Sequence, residues 1–222
     1  AALLKVSRRG LDLVIVWFWA LPMLWFSRIK VDLRGRDRVL TREKGFLILF
    51  NHGSLIDIPI LYAYIPRTFS FGAKIELFRI PFFGRAMELC GVLPIDRNNR
   101  GKVMKIYENA IARVNRGESF ALAPEGTRQI EPKLGKFKRG PFEFAINAQM
   151  DIVPVVLVGA FDVLPRSSVW INAGRWSRKV LVEILPPVST AGLSFDQLNE
   201  LVDRVHSSMH ESFNRLTVEL KG

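Results

Sequence analysis

The feature that most constrains the fold is a series of short apolar runs separated by segments of helical character. Residues 46–50 (FLILF) form such a run, stopped by a polar group at Asn51, which suits a buried strand. Similar runs recur at residues 92–95, 119–123, 152–158 and 180–185. Between them, residues 102–115 and 142–149 have helical character, and a last helix is expected from an N-cap at Ser194 to about Leu216. Strands alternating with helices predict an α/β fold, with a central, mostly parallel sheet flanked by helices on both faces. With 222 residues, 49% of them hydrophobic, the chain can fill one sizeable core but hardly two.

The N-terminal part reads differently. Residues 13–26 (LVIVWFWALPMLWF) carry three tryptophans, no charge and one proline. Cations flank them, with Lys5, Arg8 and Arg9 before and Arg28 and Lys30 after. At the helical rise this run covers about 21 Å, short of the roughly 30 Å hydrocarbon core of a bilayer. Tryptophans favour the headgroup boundary and cations favour anionic lipid. The expectation is therefore a monotopic or re-entrant anchor, bent into a helical hairpin, lying in the membrane. The competing readings are a buried core helix and a cleaved signal peptide. Against the latter, no small-residue cleavage site follows the run and the next residues are basic. The first residue is Ala1 and not methionine, so the numbering is expected to start inside a longer precursor or a trimmed chain.

A formal net charge of +11 asks for an acidic partner, whether nucleic acid, anionic headgroups or a phosphorylated substrate. The aromatics cluster in apolar runs instead of alternating with cations, and no nucleic-acid-binding motif appears, so no nucleic-acid partner is expected. Cys90 is the only cysteine, which rules out a disulfide framework or a cysteine-based metal site and suits a reducing, cytoplasm-facing setting.

Directly after the first core strand come Asn51, His52, Gly53, Ser54, Leu55, Ile56 and Asp57. On one continuous helix, five residues would turn Asp57 roughly 140° away from His52. For the two to meet, His52 must sit in the strand-to-helix turn and Asp57 in the helix's first turn. There a carboxylate holds one imidazole nitrogen, fixes the tautomer and raises the basicity of the other nitrogen. Ser54 and Asp57 also form an S-x-x-D capping box, so Asp57 equally reads as a helix cap beside an ordinary turn histidine. A second box, Pro124, Glu125, Gly126, Thr127 and Arg128, ends another expected strand. Its glycine lets the backbone approach a ligand closely and its arginine can clamp a phosphate. In isolation it equally reads as a turn with a surface ion pair.

Together, the NHxxxxD box at residues 51–57 and the PEGTR box at residues 124–128 closely resemble the glycerolipid acyltransferase superfamily, in particular the 1-acylglycerol-3-phosphate acyltransferases. Lys74, Glu76, Leu77, Pro81 and Gly84 are similar to that family's K-x-E-L-x-x-x-P-x-x-G stretch. Residues 91–97 (GVLPIDR) resemble its second block, residues 137–140 (FKRG) a following element, and residues 152–155 (IVPV) its fourth block. The resemblance runs in the family's order over residues 46–160. One departure is Ala123, where an aromatic residue commonly precedes the PEGTR string.

The resemblance implies an enzyme associated with the cytoplasmic face of a membrane, needing neither cofactor nor metal. It would move a fatty acyl chain from acyl-CoA or acyl-carrier protein to lysophosphatidic acid, giving phosphatidic acid. It gives His52 the part of general base and Asp57 that of steadying the imidazole. It assigns phosphate or glycerol binding to Arg97, Glu125, Gly126, Thr127 and Arg128, and to Lys74, which equally reads as a surface lysine. A backbone N–H near Gly126 is a candidate oxyanion donor. There is no G-x-S-x-G elbow, and neither Ser54 nor Cys90 has a second histidine at partner spacing, so direct transfer is expected without an acyl-enzyme. The alternatives are another acceptor (glycerol 3-phosphate, another lysophospholipid or a lyso-aminolipid) and a non-catalytic lipid-binding protein. Against the latter, a scaffold has no need of His52, Asp57, Glu125 and Arg128 together. Arg34, Arg36, Arg38, Arg42, Lys44, Lys133, Lys136, Lys138 and Arg139 read singly as solubilising charges and as a set as a hold on anionic lipid. The expected division is a membrane-associating helical segment and basic linker over residues 1–44 and a catalytic domain over residues 45–222.

Overall fold

A computed structural model of the chain describes residues 8–40, 44–168, 171 and 178–222, with the backbone alone for Arg8 and Arg9. Lys5 and Arg42, two of the cations singled out above, lie outside the described residues. Seven strands appear: β1 (Ile29–Arg34), β2 (Leu47–Phe50), β3 (Phe69–Lys74), β4 (Leu93–Ile95), β5 (Ser119–Leu122), β6 (Ile152–Val158) and β7 (Arg178–Ile184). They form one sheet in the order β1-β7-β6-β2-β5-β3-β4. Five of them, β2 to β6, run parallel. β7 is antiparallel to β6, and β1 is parallel to β7, so these two run against the other five. The mostly parallel sheet is as expected.

The helices are α1 (Arg8–Ile15), α2 (Leu21–Phe26), α3 (Asp37–Leu40), α4 (Asp57–Tyr64), α5 (Phe83–Leu89), α6 (Arg100–Val114), α7 (Gly140–Asn147), α8 (Ala160–Val163) and α9 (Leu198–Lys221). Period-two alternation feeds both layers. From β2, Leu47 and Leu49 join one cluster with Tyr107 of α6, Phe144 of α7 and Leu201 of α9. Phe46, Ile48 and Phe50 join the other, with Leu24 of α2, Ile60 of α4 and Val163 of α8. The expected last helix begins through a capping box at Ser194 and a short 3-10 turn, and runs on to Lys221.

Two strands were not anticipated. β3 (FSFGAK) has no continuous apolar run, and β1 (IKVDLR) lies in the stretch read as basic linker. β1 is an edge strand that alternates apolar with charged residues, which disguises it among its neighbouring cations.

In place of the expected hairpin, the described N-terminal residues form one helical segment. A π-helical turn, Val16–Ala20, joins α1 to α2. Pro22 lacks the N–H that a regular helix would aim at the Phe18 carbonyl, and the wider turn lies just before it. Ala20 and Leu24, one turn apart, are buried, and Trp19 meets Tyr62 of α4 edge-on. The other side leaves Trp17, Phe18, Trp25 and Phe26 between 64% and 80% exposed. No described helix is long and apolar enough to cross a membrane.

Asn51 prolongs the β2–β6 pairing by one step. Its Nδ2 donates to the Leu157 carbonyl at 2.9 Å, and its Oδ1 accepts from the Leu157 N–H at 2.7 Å. Asn51→Ala strands both buried backbone groups, so unfolding stability is expected to fall by about 2 kcal/mol or more. A thermal melt would read that as a drop of roughly 4 to 8 °C. An unchanged melting temperature would show that the two hydrogen bonds add nothing to the fold.

Candidate active site

Parallel strands bring their C-terminal ends to one edge of the sheet, where ligands of open α/β sheets bind. Every candidate residue sits on that edge. His52 and Asp57 follow β2, Lys74 ends β3, Arg97 follows β4, and residues 125–128 follow β5.

His52 lies in the turn between β2 and α4, and Asp57 opens the helix. His52 Nδ1 is 2.9 Å from Asp57 Oδ2, and the Asp57 carboxylate is almost fully buried. The same oxygen accepts the N–H groups of Gly53 at 3.0 Å and Ser54 at 2.8 Å. The helix-cap reading and the imidazole-holding reading are thus both met, by one atom. An ionised carboxylate only accepts, so a bond to one puts the proton on Nδ1 and leaves Nε2 its lone pair. Nε2 has no hydrogen-bond partner among the described residues. Ser54 Oγ donates to the Leu164 carbonyl at 2.8 Å and accepts from the Ile56 N–H. That hydroxyl is occupied in holding a loop.

The PEGTR box braces the same turn from the other side. Glu125 is 4% exposed, and its two oxygens accept the N–H groups of His52 at 3.1 Å and Gly135 at 2.9 Å. Burial pushes its carboxyl above the usual range, against the pull of those two donors, the Gln129 side chain and His52. The Gln129 N–H in turn donates to the His52 carbonyl at 2.9 Å. The backbone N–H of His52 is therefore held by the second box and its carbonyl by the residue that follows the box. This bracing is invisible in sequence, because backbone donors carry no residue identity.

Gly126 has φ +73°, and a Cβ there would lie 2.8 Å from Lys138 Cε. Glycine thus serves the turn conformation and the close approach of Lys138. The Gly126 N–H donates to the Ala123 carbonyl at 3.0 Å, so this amide is engaged in its own turn and is not the free oxyanion donor sought near it. Thr127 is half-buried in the same turn.

Arg128 and Arg97 come to the edge from β5 and β4, the two strands that flank β3. Arg128 Nη1 is buried with no hydrogen-bond partner. Desolvation holds the Arg128 guanidinium below its ordinary range, Arg166 adds repulsion, and Asp57 partly offsets both. Arg97 is exposed on one side and lowered chiefly by desolvation on the other, with Arg166 and Arg128 adding repulsion against a partial offset from Glu76. Neither arginine forms an ion pair with Glu125 or Asp96 among the described residues. Lys74, half-exposed, pairs instead with Glu76 at 3.2 Å. Arg166, absent from the sequence reading, is therefore a neighbour of both arginines. Its signal was faint: it is the first lysine or arginine after Arg139 and follows the longest buried strand.

A family model described as acyltransferase matches residues 30–158. The chain is 31% identical over 212 residues to 1-acyl-sn-glycerol-3-phosphate acyltransferase alpha of Bos taurus, covering 95% of this chain and 72% of that one. It is also 31% identical over 214 residues to 1-acyl-sn-glycerol-3-phosphate acyltransferase of Haemophilus influenzae, covering 95% and 85%. Among solved structures, PlsC of Thermotoga maritima, a 1-acyl-sn-glycerophosphate acyltransferase, shares the fold. The TM-score is 0.76 at 24% identity, over 94% of this chain and 80% of that one. A family match over more than half of the residues, with relatives this similar along nearly the whole length, shows that the chain belongs to the acyltransferase family.

Proposed function

We propose that this acyltransferase moves a fatty acyl group from acyl-CoA or acyl-carrier protein to lysophosphatidic acid, giving phosphatidic acid. The observation that carries the reading is a histidine whose Nδ1 is committed to a buried carboxylate, on the same sheet edge as two arginines without an ion-pair partner. The relatives named above supply the acceptor. His52 Nε2 takes the proton of the acceptor's free hydroxyl as its oxygen attacks the thioester carbonyl. The tetrahedral intermediate then expels the thiolate, which recovers that proton from His52. No acyl-enzyme is needed, and Ser54 is unsuited to forming one because its hydroxyl holds Leu164. Arg97 and Arg128 bind the phosphate, Lys74 stands farther out, and Gly126 and Thr127 shape the turn. Glu125 serves as a positioning residue through the backbone of His52.

The test is to offer the purified protein a panel of lysolipids with labelled acyl-CoA and identify products by mass spectrometry. Phosphatidic acid from lysophosphatidic acid is expected as the main product, and a different preferred acceptor would overturn the assignment. In the same assay His52→Ala is expected to lose at least roughly 10²-fold in rate. Its melting temperature should fall by only a few degrees, about 1 to 2 kcal/mol for one of the three hydrogen bonds to Asp57 Oδ2, with the other two donors still capping the helix. Retention of more than about a tenth of the rate would remove His52 from the base role.

The reading extends to where the enzyme works. β1 runs against the five parallel strands, so the end of α2 enters the sheet at the edge that carries the site. The exposed aromatics of the N-terminal segment therefore border that edge. On the far side, the segment after β3 exposes Leu77, Ile80, Phe82, Phe83 and Leu89, with Phe82 at 93%. Apolar side chains on both sides of the site suit an edge laid on a membrane surface. A chain whose only cysteine is Cys90 fits its cytoplasmic face. Of the cations proposed to hold lipid, Arg34 is bound to Glu219, Arg38 to the Ile184 carbonyl and Lys133 to Glu131, so the aromatics bear the larger share. Replacing Trp17, Phe18, Trp25 and Phe26 together by serine is expected to abolish flotation with anionic vesicles while the melting temperature holds. Flotation as strong as that of the unaltered protein would place the membrane contact elsewhere.

A further inference from the structure

The loop after α8 is tied to both sequence boxes. Ser54 Oγ of the first box donates to the Leu164 carbonyl at 2.8 Å. Two residues on, Arg166 Nη1 donates to the carbonyl of Arg128, the last residue of the second box, at 2.7 Å. These two bonds carry the exposed Arg166 side chain to the corner that holds Arg128 and Arg97. Among the described residues only one of its N–H groups is used, in this tie, and the rest of the fork is available to a ligand.

Some cations elsewhere in the protein are matched by acids. Arg34, Arg100, Arg113 and Arg215 each bind a carboxylate, whereas Arg97, Arg128 and Arg166 form no ion pair among the described residues. The acids that face the group are Glu76, beside Arg97, and Asp57, beside Arg128, and the same Asp57 carboxylate already accepts three hydrogen bonds through Oδ2. The Coulombic repulsion of Arg166 is felt at both other arginines. Three like charges gathered without a matching acid are stabilised by an anion. Arg128 also holds a buried Nη1 without a hydrogen-bond partner, a donor that an anion would satisfy.

We propose that Arg166 is a third phosphate-binding guanidinium that makes this site selective for a phosphomonoester headgroup over a phosphodiester one. The proposal rests on the acceptor reading given above. A phosphomonoester carries a charge of about −1.5 to −2 at pH 7 and three terminal acceptor oxygens, enough for three arginine forks. A phosphodiester carries one charge and two such oxygens, and leaves one fork unmatched.

Two measurements on the full chain test it, using Arg166→Gln and Arg166→Lys. In steady-state assays with 1-acylglycerol 3-phosphate, Arg166→Gln is expected to lower kcat/KM about tenfold, mainly through KM, the loss of one charge-assisted contact to phosphate. Arg166→Lys should fall between Gln and the unaltered protein, because it keeps the charge and loses the fork. Donor KM should stay within about twofold and the melting temperature within about 2 °C. Transfer to 1-acylglycerophosphocholine should not decline. Equal losses on both acceptors, or a lowered melting temperature with acceptor KM unchanged, would reduce Arg166 to a brace for the loop and overturn the proposal.

The second measurement needs no acceptor turnover. Inorganic phosphate is expected to raise the melting temperature of the unaltered protein, and Arg166→Gln to lose half or more of that rise. Equal rises in both proteins, or none in either, would contradict the proposal. If the lysolipid panel shows another preferred acceptor while the phosphate effect still depends on Arg166, the acceptor reading fails and the anion site stands.

Discussion

Asp57 Oδ2 gathers the imidazole Nδ1 of His52 and the N–H groups of Gly53 and Ser54 into one buried knot. Breaking it would release the turn that follows β2 and the first turn of α4 together. The Asp57 side chain also sits where the first amides of α4 lack intrahelical partners, so two of its three hydrogen bonds come from the backbone before the helix. The oxygen that accepts these two amides also meets Nδ1 of the imidazole, so the local fold and the placing of His52 depend on one atom.

Around this knot the sheet acts as an alignment device. Five parallel strands deliver their following loops to one edge, and side chains tie the loops to each other. Asn51 locks the end of β2 to β6, Glu125 locks the loop after β5 to the backbone of His52, and Ser54 locks the loop after α8. Each tie uses a buried polar group satisfied by backbone, so its removal leaves unpaired donors or acceptors in a low-dielectric setting. The His52 turn is held from three directions, which limits the reorganisation needed when a substrate arrives. Glu125 shows how a residue of one motif can hold the backbone of another.

Much of this was legible in sequence, for identifiable reasons. Buried parallel strands such as β6 are apolar throughout and announce themselves. The five-residue spacing of His52 and Asp57 required a turn between them, because a helix would have separated them, and the turn is there. β3 was not legible because its glycine and serine dilute the apolar run, although Phe69 and Phe71 are buried against Tyr62. β1 was hidden by its charges, and the N-terminal hairpin was a guess that the continuous helical segment replaces. That Glu125 holds the main-chain amides of His52 and Gly135 was not legible, because such bonds leave no trace in residue identity. Arg166 was missed because a lone arginine in a loop has no pattern, and only the tertiary ties from Ser54 and Arg128 bring it to the site.

The central claim is that Asp57 holds the proton of His52 on Nδ1 and leaves Nε2 as the base. The chain has only three histidines, so 15N NMR of histidine-labelled protein, with His52→Gln to assign the signal, reads this tautomer directly. The account predicts a protonated Nδ1 and an unprotonated Nε2 for neutral His52, with that preference weakened in Asp57→Asn. A neutral His52 protonated on Nε2 in the unaltered protein would contradict it.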